Sequence, residues 1–268
     1  VSLNTYNKNQ EVDEDLIRHM VLNSLRAYKV KFEDKYGDLV ICCDGRNYWR
    51  RDIFPYYKAG RKRDRAASTL DWTLIFETLN RIRDEIKEYF PYIVIDVNRA
   101  EADDIIAVLI QNASPFEEKL ILSGDKDFMQ LQKYNNVDQY APVQKKFLRA
   151  DNPSDFLKEQ IIRGDRGDGI PNCLSADDVL VRGERQKVIS KKKLAGWMHS
   201  DPLECFDESQ LRGFRRNQQL IDLDYIPEEL KENILQQYVE KNAGDRSRLF
   251  GYFVKHKLKN LMENIQEF

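Results

Sequence analysis

Cysteine is scarce in this 268-residue chain: there are four, Cys42, Cys43, Cys173 and Cys205, and none has the paired spacing of a zinc site. They read as buried thiols of a cytoplasmic protein. Histidine is scarcer still. His19, His199 and His256 fall outside every cluster described below, so imidazole ligation and nucleophilic triads have no candidate. No apolar run approaches the length that crosses a bilayer, and no secretory signal is visible. Internal repeats and low-complexity linkers are absent as well. The formal net charge of −2 singles out no class of partner. The chain opens on Val1 rather than Met, so a segment ahead of it is expected.

What is present is a composition 41% hydrophobic and 33% charged, that of a globular chain large enough for a sizeable core. Asp13 to Lys31 carries Leu16, Ile17, Met20, Val21 and Leu25 at helical spacing. "DLVICCDG" then reads as a buried strand of a parallel sheet, "YIVIDV" as a second and "KLILSG" as a third. A helix from about Thr69 to Tyr89 separates the first two. Another begins near Glu101, and a short one begins at Asp125. Alternating strands and helices predict an α/β fold with a mostly parallel central sheet flanked by helices. Beyond about Asp151 the strands stop. Helices are expected over Leu157 to Arg163, Lys187 to His199, Pro227 to Lys241 and Arg248 to Phe268. The division expected is residues 1–150 as an α/β domain and 151–268 as a helical C-terminal region.

The acids fall in a pattern. Ligand sites of open parallel sheets lie outside the carboxyl ends of the strands. The first strand ends in Asp44, the second feeds Glu101, Asp103 and Asp104, and the third ends in Asp125 and Asp127. Acids at a helix start also favour the dipole and cap free N–H groups, which alone would account for "EADD". A further pair, Asp165 and Asp168, lies in the Gly-rich "RGDRGDGIPN". Its tandem Arg-Gly-Asp is too short to argue for adhesion. Carboxylates gathered on one edge repel unless a cation neutralises them, and oxygen-only ligands suit Mg²⁺ or Mn²⁺. Two such ions about 4 Å apart clamp the attacking and leaving oxygens of a phosphodiester.

Between Arg46 and Arg65 eight basic residues stand against two acids. Tyr48, Trp49, Phe54, Tyr56 and Tyr57 interleave with Arg50, Arg51, Lys58 and Arg61. Aromatics stack on bases and cations bind phosphates, so this segment is a candidate polyanion site; core packing is the competing reading for each aromatic.

Together "ICCDG", "YKAGR", "EADD", "SGDKDF" and "GDRGDGIPN" resemble, in order and spacing, the 5′-nuclease superfamily of flap endonucleases and polymerase-associated 5′→3′ exonucleases. "YWRRDIFPYYK", "PYIVIDV", "LIDLDYIP" and "ENIQEF" are similar to its T-even phage ribonuclease H branch, so the resemblance spans nearly the whole chain. It implies a PIN/5′-nuclease-like fold with a helical arch over about residues 46–68, through which a 5′ end threads. It implies a monomeric Mg²⁺-dependent enzyme, with two ions, that removes RNA primers and adjoining DNA from 5′ ends and cuts 5′ flaps of branched DNA. Its setting would be phage replication in the cytoplasm of the infected host, beside a single-strand-binding protein and a sliding clamp, with no membrane partner. Asp44, Glu101, Asp103, Asp104 and Asp125 match the family's first metal cluster, and Asp127, Asp165 and Asp168 the second. Lys58 and Arg61 match the arch residues that act on the scissile phosphate. Arg50, Arg51 and Tyr57 are expected to bind nucleic acid with them, as are Lys191, Lys192 and Lys193 in a divergent helix–hairpin–helix-like element.

The family begins with a strand carrying its first metal-binding Asp, and no such strand precedes "VSLNTYNK". The alternative reading is therefore a nucleic-acid-binding protein of the same fold that does not cut. A phosphatase is disfavoured, because neither "CCDGRN" nor "SGDKDF" supplies the Asp and Thr that follow its nucleophile. A small PIN-type ribonuclease would need neither the arch nor the long helical C-terminal half.

Overall fold

The structure, a computed structural model, describes residues 13–240 and 246–268. The expectation about a strand ahead of the first residues lies outside them. Helices outweigh strands. The strands are β1 (Val40–Cys43), β2 (Ile93–Asp96), β3 (Lys119–Leu122), β4 (Val137–Ala141) and β5 (Lys146–Leu148). The helices are α1 (Glu14–Tyr36), α2 (Arg50–Ile53), α3 (Gly60–Ala66), α4 (Trp72–Tyr89), α5 (Ala102–Asn112), α6 (Pro153–Arg163), α7 (Lys191–Met198), α8 (Pro202–Cys205), α9 (Glu208–Ile221), α10 (Glu228–Glu240), α11 (Leu249–Lys255) and α12 (Lys259–Met262). Contacts gather the chain into two compact units that interleave in sequence. One comprises Val1–Cys43, Thr69–Asp96 and Asn233–Phe268; the other comprises Asp44–Ser68 and Val97–Glu232.

In the first unit β1 and β2 pair in parallel, with Val40 opposite Ile93 and Cys43 opposite Asp96. Both strands therefore end at the same edge. α1 starts where Asp13 accepts from the Leu16 N–H at 2.8 Å. It stops at Gly37, whose φ of 73° lies in the left-handed region where a side chain is strained. α4 is capped likewise by Asp71. Ile17, Leu22, Ile75, Ile82, Ile86, Phe90, Val94, Tyr252, Phe253 and Phe268 form a continuous buried core. Removing such side chains from water is the main favourable term of the fold.

One charge sits in that core. Arg18 is 1% exposed. Its guanidinium grips Glu85 with two bonds of 3.0 and 3.1 Å and reaches Asp15 at 2.9 Å. The Tyr252 hydroxyl donates to Glu85 at 2.7 Å. Burial alone would raise the Glu85 carboxyl, but the hydrogen bonds from Arg18 and Tyr252 outweigh it and hold the group below its ordinary range.

In the second unit β3 pairs in parallel with β4, and β4 pairs antiparallel with β5. The parallel pairing of β1 with β2 is as expected, but among the described residues the strands form two sheets, and neither β4, the parallel partner of β3, nor the hairpin β4–β5 was anticipated. Its polar composition hides it: Gln139 sits fully buried in β4, and two of the three residues of β5 are exposed. α9 was also missed. Arg216 and Asn217 occupy buried positions on it and blur the apolar period. The Asn217 amide donates to the carbonyls of Ile161 and Pro171 at 2.7 and 2.9 Å, which makes a polar residue acceptable there. The final helix expected over Arg248 to Phe268 is broken between α11 and α12, where Lys257 turns left-handed at φ 54°. The helix at Lys187 to His199 begins later, where Ser190 caps α7.

Because the folded Glu85 carboxyl titrates below its unfolded value, its contribution is present above the ordinary carboxylate pKa and is lost as pH falls through the folded one. Glu85→Gln leaves Arg18 buried without its main partner. The expected loss is about 3 kcal/mol at pH 7, read by urea denaturation, with the gap to wild type closing as the solution is acidified. A gap that persists unchanged at low pH would rule out this ion pair as its source.

Candidate active site

Most acids at the candidate site are placed by a local device. Asp44 follows β1 directly. Its Oδ1 accepts the Ala102 N–H at 2.9 Å, at the start of α5. The two segments are zipped together on either side: Gly45 N–H donates to Ala100 O at 2.9 Å, Arg99 N–H to Arg46 O at 2.7 Å and Trp49 N–H to Arg99 O at 3.0 Å. A Cβ on Gly45 would lie 2.0 Å from the Val97 carbonyl oxygen, so only glycine fits this approach. Asn47 and Arg99 within the zipper, and Lys58 beyond it, hold left-handed conformations at φ 56°, 72° and 56°.

Glu101 is the N-cap residue of α5 and is 1% exposed. Its Oε2 accepts from Arg50 Nη1 at 2.9 Å and from the Tyr57 hydroxyl at 2.8 Å, while its Oε1 pairs with Lys58 Nζ. Asp104 is completely buried. Its Oδ2 takes the Glu101 N–H at 2.9 Å, Trp49 Nε1 at 3.1 Å and Arg50 Nη1 at 3.1 Å. Asp104 thus ties the helix start to the basic segment.

The Gly-rich loop joins from the other side. Lys58 N–H donates to the Asp168 carbonyl at 2.7 Å. Gly169 sits so close that a Cβ would come within 2.9 Å of Tyr56 O. The Asp168 carboxylate receives Arg61 Nη2 at 2.6 Å and the Tyr57 hydroxyl at 3.1 Å, with Lys58 Nζ at 3.6 Å. Asp165 accepts the Gly167 N–H at 2.7 Å and pairs with Lys126 at 3.1 Å. Asp125 caps the 3-10 turn Lys126–Lys133, accepting the Asp127 N–H at 3.0 Å. Buried Gln139 fixes that turn from β4, donating to the Ser123 and Asp125 carbonyls at 3.0 and 2.6 Å.

The acids from these segments act on one another. Burial pushes the Asp103 carboxyl up to about 7, Lys58 opposes it, and Glu101 and Asp125 add to it. Burial, then Asp125 and Asp165, push Asp127 to about 7. Lys58 is raised: burial works against its charge, but Asp168 and Glu101 prevail. Among the described residues no three His, Cys, Asp or Glu side chains are grouped as they would be around one metal ion. Lys58, Arg50, Arg61 and Lys126 stand among the carboxylates instead.

Of the residues expected to touch nucleic acid, Arg50 and Tyr57 point inward. Each is 3% exposed and engaged with the acids, and Arg50 Nε also donates to the Leu220 carbonyl at 2.8 Å. Arg51, Arg61, Lys191, Lys192 and Lys193 are exposed, while Lys58 is buried. Sequence reasoning missed Gln160, Gln139, Lys126 and the hydrogen-bonding role of Trp49. Lys126 had a signal, lying between two aspartates; the glutamines had none.

Two glycines separate close approach from open space. Gly45→Ala is expected to cost more than about 3 kcal/mol, since backbone must move to admit the methyl. Gly196→Ala, in α7 with nothing within 4 Å of the new Cβ, is expected to gain roughly 0.5–1 kcal/mol. Urea midpoints of both variants check this, and a neutral Gly45→Ala would contradict the zipper.

Residues 7–160 match the 5′-3′ exonuclease N-terminal resolvase-like domain, and residues 154–268 match the C-terminal domain of T4 RNase H. The chain is 35% identical over 271 residues to the ribonuclease H of Enterobacteria phage T4, covering 97% of this chain and 88% of that one. Its fold is similar to that of the T5 5′-exonuclease with bound zinc, at a TM-score of 0.61 and 17% identity over 88% of this chain and 93% of that one. A bacteriophage T5 flap endonuclease, in a pseudo-enzyme-product complex with DNA and metal ions, superposes at a TM-score of 0.61 and 17% identity over 87% of this chain and 94% of that one. The motif order, the α/β framework and these matches agree, and the chain belongs to the 5′-3′ exonuclease family.

Proposed function

We propose that this chain is a structure-specific 5′ nuclease that hydrolyses phosphodiesters with two divalent cations, Mg²⁺ or in its place Mn²⁺. Its substrates are 5′-ended and branched DNA and RNA–DNA hybrids. It removes RNA primers with adjoining DNA and cuts 5′ flaps during phage replication in the infected cell. In that setting it works as a monomer beside a single-strand-binding protein and a sliding clamp. The observation that carries this reading is the meeting of Lys58 and Arg61, from the basic segment, with Glu101 and Asp168, from two of the acid segments.

In chemistry the donor set suits hard divalent cations, although several of its carboxylates are paired with Lys58, Arg61 and Lys126 rather than gathered around one point among the described residues. It is all oxygen, and Asp103 and Asp127 are raised to about 7 by burial and like charge, as carboxylates short of positive partners would be. Asp44, Glu101, Asp103 and Asp125 would hold one ion, and Asp127, Asp165 and Asp168 the other. Asp104, matched to the first set by sequence, supports Glu101 from behind, its carboxylate accepting the Glu101 N–H. The bound ions supply an activated water and a clamp on the phosphate oxygens. Lys58 and Arg61 are aimed at the charge that develops on the phosphate. Arg50 and Tyr57 keep Glu101 and Asp168 in register, and direct phosphate contacts fall to the exposed Arg51 and Arg61. We assign the basic segment and most of the ligands to residues 1–150, and to 151–268 the remaining ligands, Asp165 and Asp168, with duplex contacts through Lys191, Lys192 and Lys193. The two family matches, which meet at residues 154–160, support that division.

A 5′-labelled RNA–DNA hybrid and a 5′-flap DNA test the reading. Short 5′ products are expected only with Mg²⁺ or Mn²⁺, and none from Asp125→Asn. Lys58→Met is expected to cut about 10²–10³-fold more slowly while binding the flap in Ca²⁺ nearly as tightly as wild type. Tight binding without metal-dependent cutting by the wild-type chain would leave a binding protein and overturn the assignment.

A further inference from the structure

Most acids at the site are met by a cation or a backbone N–H. Asp127 is different: the side chain that holds it is a neutral amide. Gln160, on the inner face of α6, is 6% exposed, and its Nε2 donates to Asp127 Oδ1 at 2.5 Å. Its neighbours Ile161 and Ile162 belong to the apolar interior. The amide's other end, Oε1, is buried and has no hydrogen-bond partner among the described residues.

Stability does not account for this residue. A buried amide satisfied at one end only carries a desolvation cost that an apolar side chain of the same length would not. A lysine or arginine would satisfy Asp127 better in electrostatic terms but would cancel its charge. An amide does something neither alternative does: it fixes the rotamer of a carboxylate and leaves its charge available.

We infer that Gln160 is a positioning residue for Asp127, holding that carboxylate in the orientation a divalent cation requires without competing for the site. The inference rests on the two-cation reading proposed above. An outer hydrogen-bond partner of this kind sets metal affinity by about 10- to 100-fold. Gln160 touches no reacting atom in this role. Its effect passes through Asp127 and is confined to the ion that Asp127 helps to hold.

Mn²⁺ titration of the full chain, followed by electron paramagnetic resonance of the free ion, tests this directly. Wild type is expected to bind two ions. Gln160→Met is expected to weaken one of them about 10-fold, leave the other unchanged and keep or raise the urea midpoint. In an Asp127→Asn background the same substitution is expected to change nothing further, because the group it acts through has lost its charge. Excess Mn²⁺ should restore flap cutting by Gln160→Met. Unchanged binding of both ions by Gln160→Met, or an equal loss in the Asp127→Asn background, would overturn the proposal. So would unfolding of both Gln160→Met and Gln160→Leu, which would give the amide to the fold. Failure of the wild type to bind Mn²⁺ at all would instead overturn the two-cation reading beneath it, and the two failures are read from different samples.

Discussion

The second unit depends on how Glu101 is accommodated. A carboxylate almost wholly removed from water costs several kcal/mol unless hydrogen-bonded cations surround it. Here Arg50, Lys58 and Tyr57 all converge on it, and all come from the same short stretch of chain. That one requirement fixes the path of residues 44–61. Arg50 must lie inside, so α2 packs down and Arg50 reaches the Leu220 carbonyl at the end of α9. Lys58 must turn back, and its left-handed backbone does so. The Gly-rich loop then closes over Lys58 through the backbone bond from its amide to Asp168.

The arrangement is a balance of charge rather than an accumulation of it. Glu101, Asp104 and Asp168 are ion-paired with cations; Asp103, which Lys58 influences only through space, and Asp127 have no such pair among the described residues, and they carry the raised pKa values. A site built this way tolerates its own repulsion in the folded chain and, on the two-cation reading proposed above, keeps negative potential for the ions. The first unit solves the opposite problem. Arg18 is the most deeply buried cation there among the described residues, and acids from α1 and α4 surround it. In one unit acids surround a buried cation, and in the other cations surround buried acids.

Much of the site was legible because acids at strand ends follow from chain direction alone. β1 and β2 run in parallel, so Asp44 and the Glu101 segment leave the same edge, and no side-chain knowledge was needed. The left-handed turns and the inward aim of Arg50 and Tyr57 were not legible. A basic, aromatic stretch reads as a surface, and whether a given side chain turns in depends on a partner far away in sequence. Glu101 lies about fifty residues beyond Arg50. Buried amides are the least legible of all: Gln139, Gln160 and Asn217 look like surface residues, and only the carbonyls and carboxylates they meet explain them. The same camouflage hid β4 and α9.

The bond from the Lys58 amide to the Asp168 carbonyl joins two segments with different tasks. Residues 59–68 rise from Lys58, and Asp165 to Asp168 follow the end of α6. A displacement of the basic segment is therefore passed to the loop that bears two of the acids, with Gly169 leaving no slack beneath Tyr56. On the function proposed above, capture of a 5′ end and alignment of the carboxylates would be one mechanical event, and a substrate that engaged the first without loading the second would be held but not committed.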